Sequence, residues 1–231
     1  MIDVSVVIPA RNEAAYVTRA LDSVGAQGYP VDRIEVVVAV NDSVDDTAGV
    51  VRRYQEAHPG RRLTVLEDAT PGVARAKNAG ARAATGQVLL FLDADSRMAP
   101  DVVERVVQAS SDGSPAGSIP IRADSDDILD RGFFALLEYG KRLFAIRANM
   151  LFCRHEVFEA VGGFDERLYQ AEDRDLLVRL QRRGVVVTHL VGTWIATSPR
   201  RLHEGPLRVG TLRVLARWSL GHAGIWRDRP Y

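Results

Sequence analysis

A hydrophobic period that switches back and forth along the first hundred residues constrains this chain more than any other feature. Val4 to Ile8 is a short β-branched run closed by Pro9, the pattern of a buried strand. From Glu13 to Ala26 the apolar positions Ala14, Val17, Leu21 and Val24 fall three or four apart, which predicts a helix. Ile34 to Val40 predicts a second strand, followed by the acidic turn Asn41-Asp42-Ser43-Val44-Asp45-Asp46 and a helix to about Ala57. Leu63 to Glu67 predicts a third strand and Gly72 to Ala84 an Ala-rich helix. Val88 to Leu92 predicts a fourth strand, running into Asp93-Ala94-Asp95. Strands that alternate with helices pair in parallel, and the helices cover both sheet faces. The expectation is a Rossmann-like α/β layer.

Open sheets of this kind bind ligands beyond the carboxyl ends of their strands. Here those ends carry Pro9-Ala10-Arg11-Asn12-Glu13, Asn41-Asp42 and Asp93-Ala94-Asp95, a polar edge rather than scattered surface. Two carboxylates one residue apart at a strand end suit a hard divalent cation, Mg²⁺ or Mn²⁺, which takes one or two carboxylates plus substrate phosphates. A phosphatase of the haloacid-dehalogenase type also carries Asp-x-Asp. There the pair follows the first strand with Thr two positions later; here it follows the fourth, and Arg97 stands at that place.

The second half is less regular. Ser110 to Ser118 reads as a loop, Ile128 to Ile146 as a helix across the sheet, and Met150 to Cys153 as a further strand. Val157, Phe158 and Val161 lead into Gly162-Gly163-Phe164-Asp165-Glu166, whose paired glycines permit a left-handed backbone. Ala171 to Arg183 reads as a helix opened by Glu172-Asp173, a rigid place from which to aim a general base, although acids in a first turn also serve the helix dipole. Val185 to Leu190 reads as a strand, with His189 packed in the core. In the Ala-rich helix Arg75, Lys77 and Arg82 supply positive charge, Arg82 as part of a solvated face.

The chain has 231 residues, with 30 Lys+Arg against 30 Asp+Glu. That balance argues against a general nucleic-acid binder. The single cysteine, Cys153, excludes an intramolecular disulfide and a multi-cysteine zinc site. The N-terminus lacks a basic, long apolar leader, and Gly184 to Pro199, the longest stretch free of charged residues, is too short and polar for a span. The expected location is cytoplasmic.

These pieces together resemble a family-2 glycosyltransferase of GT-A fold, over about Ser5 to Arg183. The resemblance rests on Val6-Val7-Ile8-Pro9-Ala10-Arg11-Asn12-Glu13, the turn from Asn41 to Thr47, the Ala-rich segment through Asn78, Asp93-Ala94-Asp95, the Gly162-Gly163-Phe164-Asp165-Glu166 loop and Glu172-Asp173. The family's acidic turn carries a glycine that this shorter one lacks.

The resemblance implies one GT-A domain over residues 1–231: a nucleotide-sugar half (1–96), an acceptor half (97–204) and a basic helical C-terminal segment (205–231). It implies that Pro9, Ala10, Asn12, Glu13, Asn41, Asp42, Arg75, Lys77, Asp93, Ala94, Arg200 and Arg201 line the nucleotide-sugar site. Asp95 would hold the Mg²⁺ or Mn²⁺, with His203 a further ligand candidate. Asp173 would be the base of an inverting transfer to an acceptor hydroxyl on a small molecule, glycan or lipid, and Glu172 would hold the acceptor or tune Asp173.

Two other classes compete. A non-catalytic sugar-nucleotide binder on the same fold is supported only by the shortened turn, and a nucleotidyltransferase would want a glycine-rich loop after the first strand. The C-terminal segment fits a helix packed on the domain or on a second subunit, or a peripheral membrane contact. Phe133, Phe134 and Trp218 fit either a core or a homodimer interface.

Overall fold

The computed structural model describes residues 3–143 and 150–203, the side chains at 142 and 143 excepted. Its first half alternates as the periods require. Strand β1 (Val4–Ala10) is followed by α1 (Val17–Gly25), β2 (Ile34–Asn41), α2 (Thr47–Ala57), β3 (Arg62–Asp68), α3 (Val73–Ala83) and β4 (Val88–Phe91). The second half adds β5 (Ser96–Met98), α4 (Val102–Ser111), β6 (Ala116–Ser118), β7 (Ile121–Ala123), α5 (Ile128–Leu143) and β8 (Leu151–Arg154). It continues through α6 (His155–Val161), α7 (Glu172–Arg182), β9 (Val187–His189) and β10 (Ile195–Thr197).

Seven strands form the central sheet in the order β3-β2-β1-β4-β8-β6-β9. Pairing is parallel from β3 to β4, and only β8 runs against its neighbours β4 and β6. This is the expected mostly parallel α/β sheet. Every residue of β1 is buried, because helices cover both faces. Its side chains divide by the strand period of two: Val4, Val6 and Ile8 join Leu90 and Leu92 in one core, while Val7 joins Leu89 and Phe91 in the other. Helix α3 comes close to the sheet because Gly80 lies against Val7; a Cβ there would sit 2.4 Å from the valine side chain. A second sheet, β5-β10-β7, places the end of β10 beside the strand-four acids.

Several expected boundaries move. The first helix begins at Val17 rather than Glu13, since Glu13 to Tyr16 form a turn in which the Tyr16 and Val17 amides donate to the Glu13 carbonyl. The Ser110 to Ser118 stretch is not simply a loop: α4 runs into its start and β6 ends it. Gly117 makes that strand possible, its missing Cβ being occupied by the Phe152 ring. Val157 and Val161 lie in helix α6, and the late strand shrinks to Val187–His189. His189 is half-buried, its Nδ1 2.9 Å from the Ser118 hydroxyl. The basic C-terminal segment lies outside the described residues.

Candidate active site

The loops after β1 and β2 are stitched together. The Asn12 side chain accepts from the Val44 amide at 2.8 Å, Asp45 accepts from the Ala14 amide at 3.0 Å, and Thr47 accepts from the Glu13 amide at 2.8 Å. Arg11 pairs with Asp42 at 2.5 Å. Asn12 and Asp42 both take positive φ, the left-handed conformation that short polar side chains tolerate. The shortened acidic turn is therefore folded onto the loop after β1. Asn12 supports backbone here, and Asn41 is buried with its amide 3.4 Å from the Gly72 carbonyl. Pro9 and Ala10 end β1, both buried.

Asp95, beyond β4, meets the segment that follows β10. Ser198, just past β10, donates its amide to the Asp95 carbonyl at 3.2 Å, and Arg200 reaches Asp95 at 3.2 Å. The same guanidinium pairs with Glu13 and lies 4.4 Å over the Tyr16 ring. Burial raises the Glu13 pKa against the pull of Arg200. Its second oxygen, Oε2, is buried and, among the described residues, accepts no hydrogen bond. Asp93 is also pushed up, by burial first, then by Asp95 and Glu172 against Lys77 and Arg201. Ala94 packs into the core between the two acids.

Helix α7 delivers the other two carboxylates. Ala171 adopts a left-handed conformation at its entrance, turning the chain so that Glu172 and Asp173 face inward. Lys77, 3% exposed on α3, lies 2.7 Å from Glu172 Oε1 and 2.7 Å from Asp173 Oδ1. Lys77 is thus placed in the carboxylate cluster, not on an open phosphate face. Its pKa is raised, because the neighbouring carboxylates outweigh burial. Asp173 is pushed up, by burial first and then by Glu172 and Asp93, against Lys77.

The glycine loop holds this cluster in place. Asn78, next to Lys77, donates to the Phe164 carbonyl and accepts from the Phe164 amide, both at 2.9 Å. Arg75 lies 3.4 Å from Glu166 and Arg82 3.8 Å, so both sit over this loop. His203 is turned to α5, its Nε2 2.9 Å from the buried Asp130.

Sequence reasoning missed Asp130, Glu138 and Lys141, which are buried on α5. Their spacing of eight and three residues was a detectable stripe on one helix face, obscured by the phenylalanines and leucines around it. Among the described residues no three His, Cys, Asp or Glu side chains form a ready metal cage, and no helix is long and apolar enough to cross a membrane.

The match to the model of glycosyl transferase family 2 runs over residues 5–163. Among curated relatives, glycosyltransferase AglE of Haloferax volcanii is 31% identical over 239 residues, covering 97% of this chain and 77% of AglE. Several other curated glycosyltransferases are matched over less than half of their own length. Among solved structures, Staphylococcus aureus TarS 1–349 superposes with a TM-score of 0.70 at 21% identity, covering 96% of this chain and 72% of that one. The mannosyltransferase PcManGT of Pyrobaculum calidifontis, solved with GDP-Man and Mn²⁺, gives 0.69 at 24%, covering 96% and 69%. These structures share the GT-A fold. The chain belongs to glycosyl transferase family 2.

Proposed function

We propose that the protein is an inverting glycosyltransferase that moves a sugar from a nucleoside diphosphate sugar to an acceptor hydroxyl, with Asp173 as general base. The observation that carries this reading is the convergence of Asp93, just past β4, and of Glu172 and Asp173, at the start of α7, around the buried Lys77. TarS has been solved with UDP-GlcNAc and PcManGT with GDP-Man, which supports a nucleotide-activated donor of that class.

The donor set fits a divalent ion. Five carboxylates (Glu13, Asp93, Asp95, Glu172, Asp173) stand against three cations (Lys77, Arg200, Arg201), so acids outnumber bases here. Asp95 would hold the Mg²⁺ or Mn²⁺, as oxygen donors suit these hard ions, with donor phosphates completing the shell. His203 is the candidate further ligand, its Nε2 already taken by Asp130. Such an ion supplies Lewis-acid stabilisation of the departing diphosphate.

The protein's own residues do the rest. Asp173 takes the proton of the acceptor hydroxyl as its oxygen bonds to the anomeric carbon. The bond from that carbon to the diphosphate breaks on the opposite face, and its electron pair leaves with the nucleoside diphosphate. Arg200 and Arg201 stabilise charge developing there. Lys77 keeps Asp173 oriented. Glu172 neighbours the acceptor. A single domain carries both halves, with the catalytic centre between them.

The test is thermal stability with UDP, GDP, CMP and dTDP, each with and without Mn²⁺, on wild type and Asp95→Asn. A ligand at about 100 times its dissociation constant adds roughly 2.7 kcal/mol. One diphosphate should stabilise wild type only with metal, and Asp95→Asn should lose the effect. No shift with any nucleotide overturns the reading.

A further inference from the structure

Helix α5 is laid on the domain with its charges inward. Asp130, Glu138 and Lys141 are 0%, 8% and 5% exposed, and each is paired there: Asp130 meets the His203 ring at 2.9 Å, and Lys141 Nζ lies 2.5 Å from Glu138 Oε1. Ile128, Leu129, Leu136 and Tyr139 are instead 78%, 63%, 68% and 64% exposed. At about 100° per residue, these four and Gly132 fall within one arc of about 100°, and no charged position of α5 lies in it. Four further large hydrophobics are exposed among the described residues, and all are valines outside the α-helices. The exposed leucines, isoleucine and tyrosine therefore form a single stripe, and an apolar stripe turned to water marks a surface made to be covered.

The charge beside the stripe says what covers it. In the second sheet, Arg97 of β5 and Arg122 of β7 stand opposite Ala196 of β10 and so share one face. Both are exposed, while their strand neighbours are buried. Asp124, just past β7, is covered by two half-exposed guanidiniums, Arg97 at 2.6 Å and Arg19 from α1. Helix α5 packs on β7 and adds the exposed Arg131. Asp126 is the exposed acid of the intervening loop, and Asp127 caps α5, its Oδ1 accepting from the Leu129 amide at 2.8 Å. Cations therefore dominate this edge. The described chain also ends here, with His203 against the first turn of α5, and residues 204–231 carry five arginines against Glu204 and Asp228. A second copy docked stripe to stripe would set arginines against their own kind, as a two-fold interface does. The basic C-terminal segment would add to that repulsion. An anionic surface neutralises both.

We propose that the outer stripe of α5 rests on a lipid bilayer with anionic headgroups. Its apolar side chains enter the boundary between headgroups and acyl chains, and the flanking arginines meet lipid phosphates. This is the chemistry of a helix lying in the interface plane. Tyr139, with an apolar ring and a polar tip, suits that depth. The helix lies on the membrane and does not cross it: its 16 residues rise about 24 Å, short of a hydrocarbon core of about 30 Å, and its inner face is charged. The inference stands on this face and is independent of the transferase reading.

The test is flotation of the full chain with phosphatidylcholine vesicles, with and without phosphatidylglycerol, for wild type, Leu129→Gln/Leu136→Gln and Arg131→Gln. Wild type should float with the anionic vesicles only, and added salt should weaken its binding. The double substitution should lower partitioning about tenfold or more, as two apolar side chains no longer leave water. Arg131→Gln should lower it about fivefold, the worth of one arginine at an anionic surface. Melting curves of both variants should match wild type, because the three side chains are exposed. No flotation, equal binding to neutral vesicles, or wild-type binding by the double variant overturns the proposal. So does a dimer in gel filtration that the leucine substitutions dissolve. Stabilisation by the nucleoside diphosphates is measured alongside and should be the same in all three proteins; its absence from wild type would count against the transferase reading alone.

Discussion

Lys77 and Asp173 stand 96 positions apart in the chain, yet the ammonium of one lies 2.7 Å from the carboxylate of the other, with Glu172 at the same distance. One buried cation thereby fixes both acids at the start of α7. Removing it leaves two carboxylates buried without their counter-ion. Lys77→Met should cost about 3–5 kcal/mol in urea unfolding, the usual result of breaking a buried pair from one side. A loss under about 1 kcal/mol, typical of exposed pairs, would show that the cluster is open to water.

The raised Asp173 pKa has a sign that kinetics can read. Burial, reinforced by Glu172 and Asp93 and opposed by Lys77, pushes it up to about 7. A base must be ionised, so kcat/KM should rise with pH through that value, and the acidic limb should vanish in Asp173→Asn. Stability runs the other way. The folded state favours the protonated carboxyl, so this group's contribution is present below the ordinary carboxylate pKa and is lost as pH rises through about 7. A rate profile flat from pH 5 to 9 would contradict the assignment.

Gly162 and Gly163 both take positive φ, but only one is crowded. A Cβ on Gly163 would lie 2.7 Å from Asn78 Oδ1, the atom that receives the Phe164 amide, whereas Gly162 has open space. Gly162→Ala should cost about 1–2 kcal/mol from backbone strain alone. Gly163→Ala should cost more, because the Asn78 contact is displaced as well. Equal losses in parallel unfolding curves would show that Asn78 does not pin the loop.

The first half of the fold was legible because its signals are local. A buried β-branched run or a stripe at 14, 17, 21 and 24 carries its own period, so strands, helices and the parallel sheet follow from β1 to β4. The strand-end acids at 93 and 95 and the pair at 172 and 173 were visible for the same reason. Distance partners were not. Nothing near Lys77 announces α7, nothing near Glu13 announces Arg200, and nothing near His203 announces Asp130, since each contact is made by the tertiary fold. Three-residue strands such as β6 escape any period, and Gly117 reads as a breaker until Phe152 is seen across from it. On α5 the period of the helix was legible but not which side faces the core: Phe134 is buried, while Ile128, Leu129, Leu136 and Tyr139 are exposed.

The central claim is that Asp173 removes the acceptor proton. Its most direct test is the turnover of Asp173→Asn at saturating donor and metal, with donor stabilisation of the same protein measured alongside. The account predicts that turnover falls by about 10²-fold or more, the usual worth of a general base, while the donor still stabilises the protein as in wild type. Wild-type turnover in that variant would contradict it.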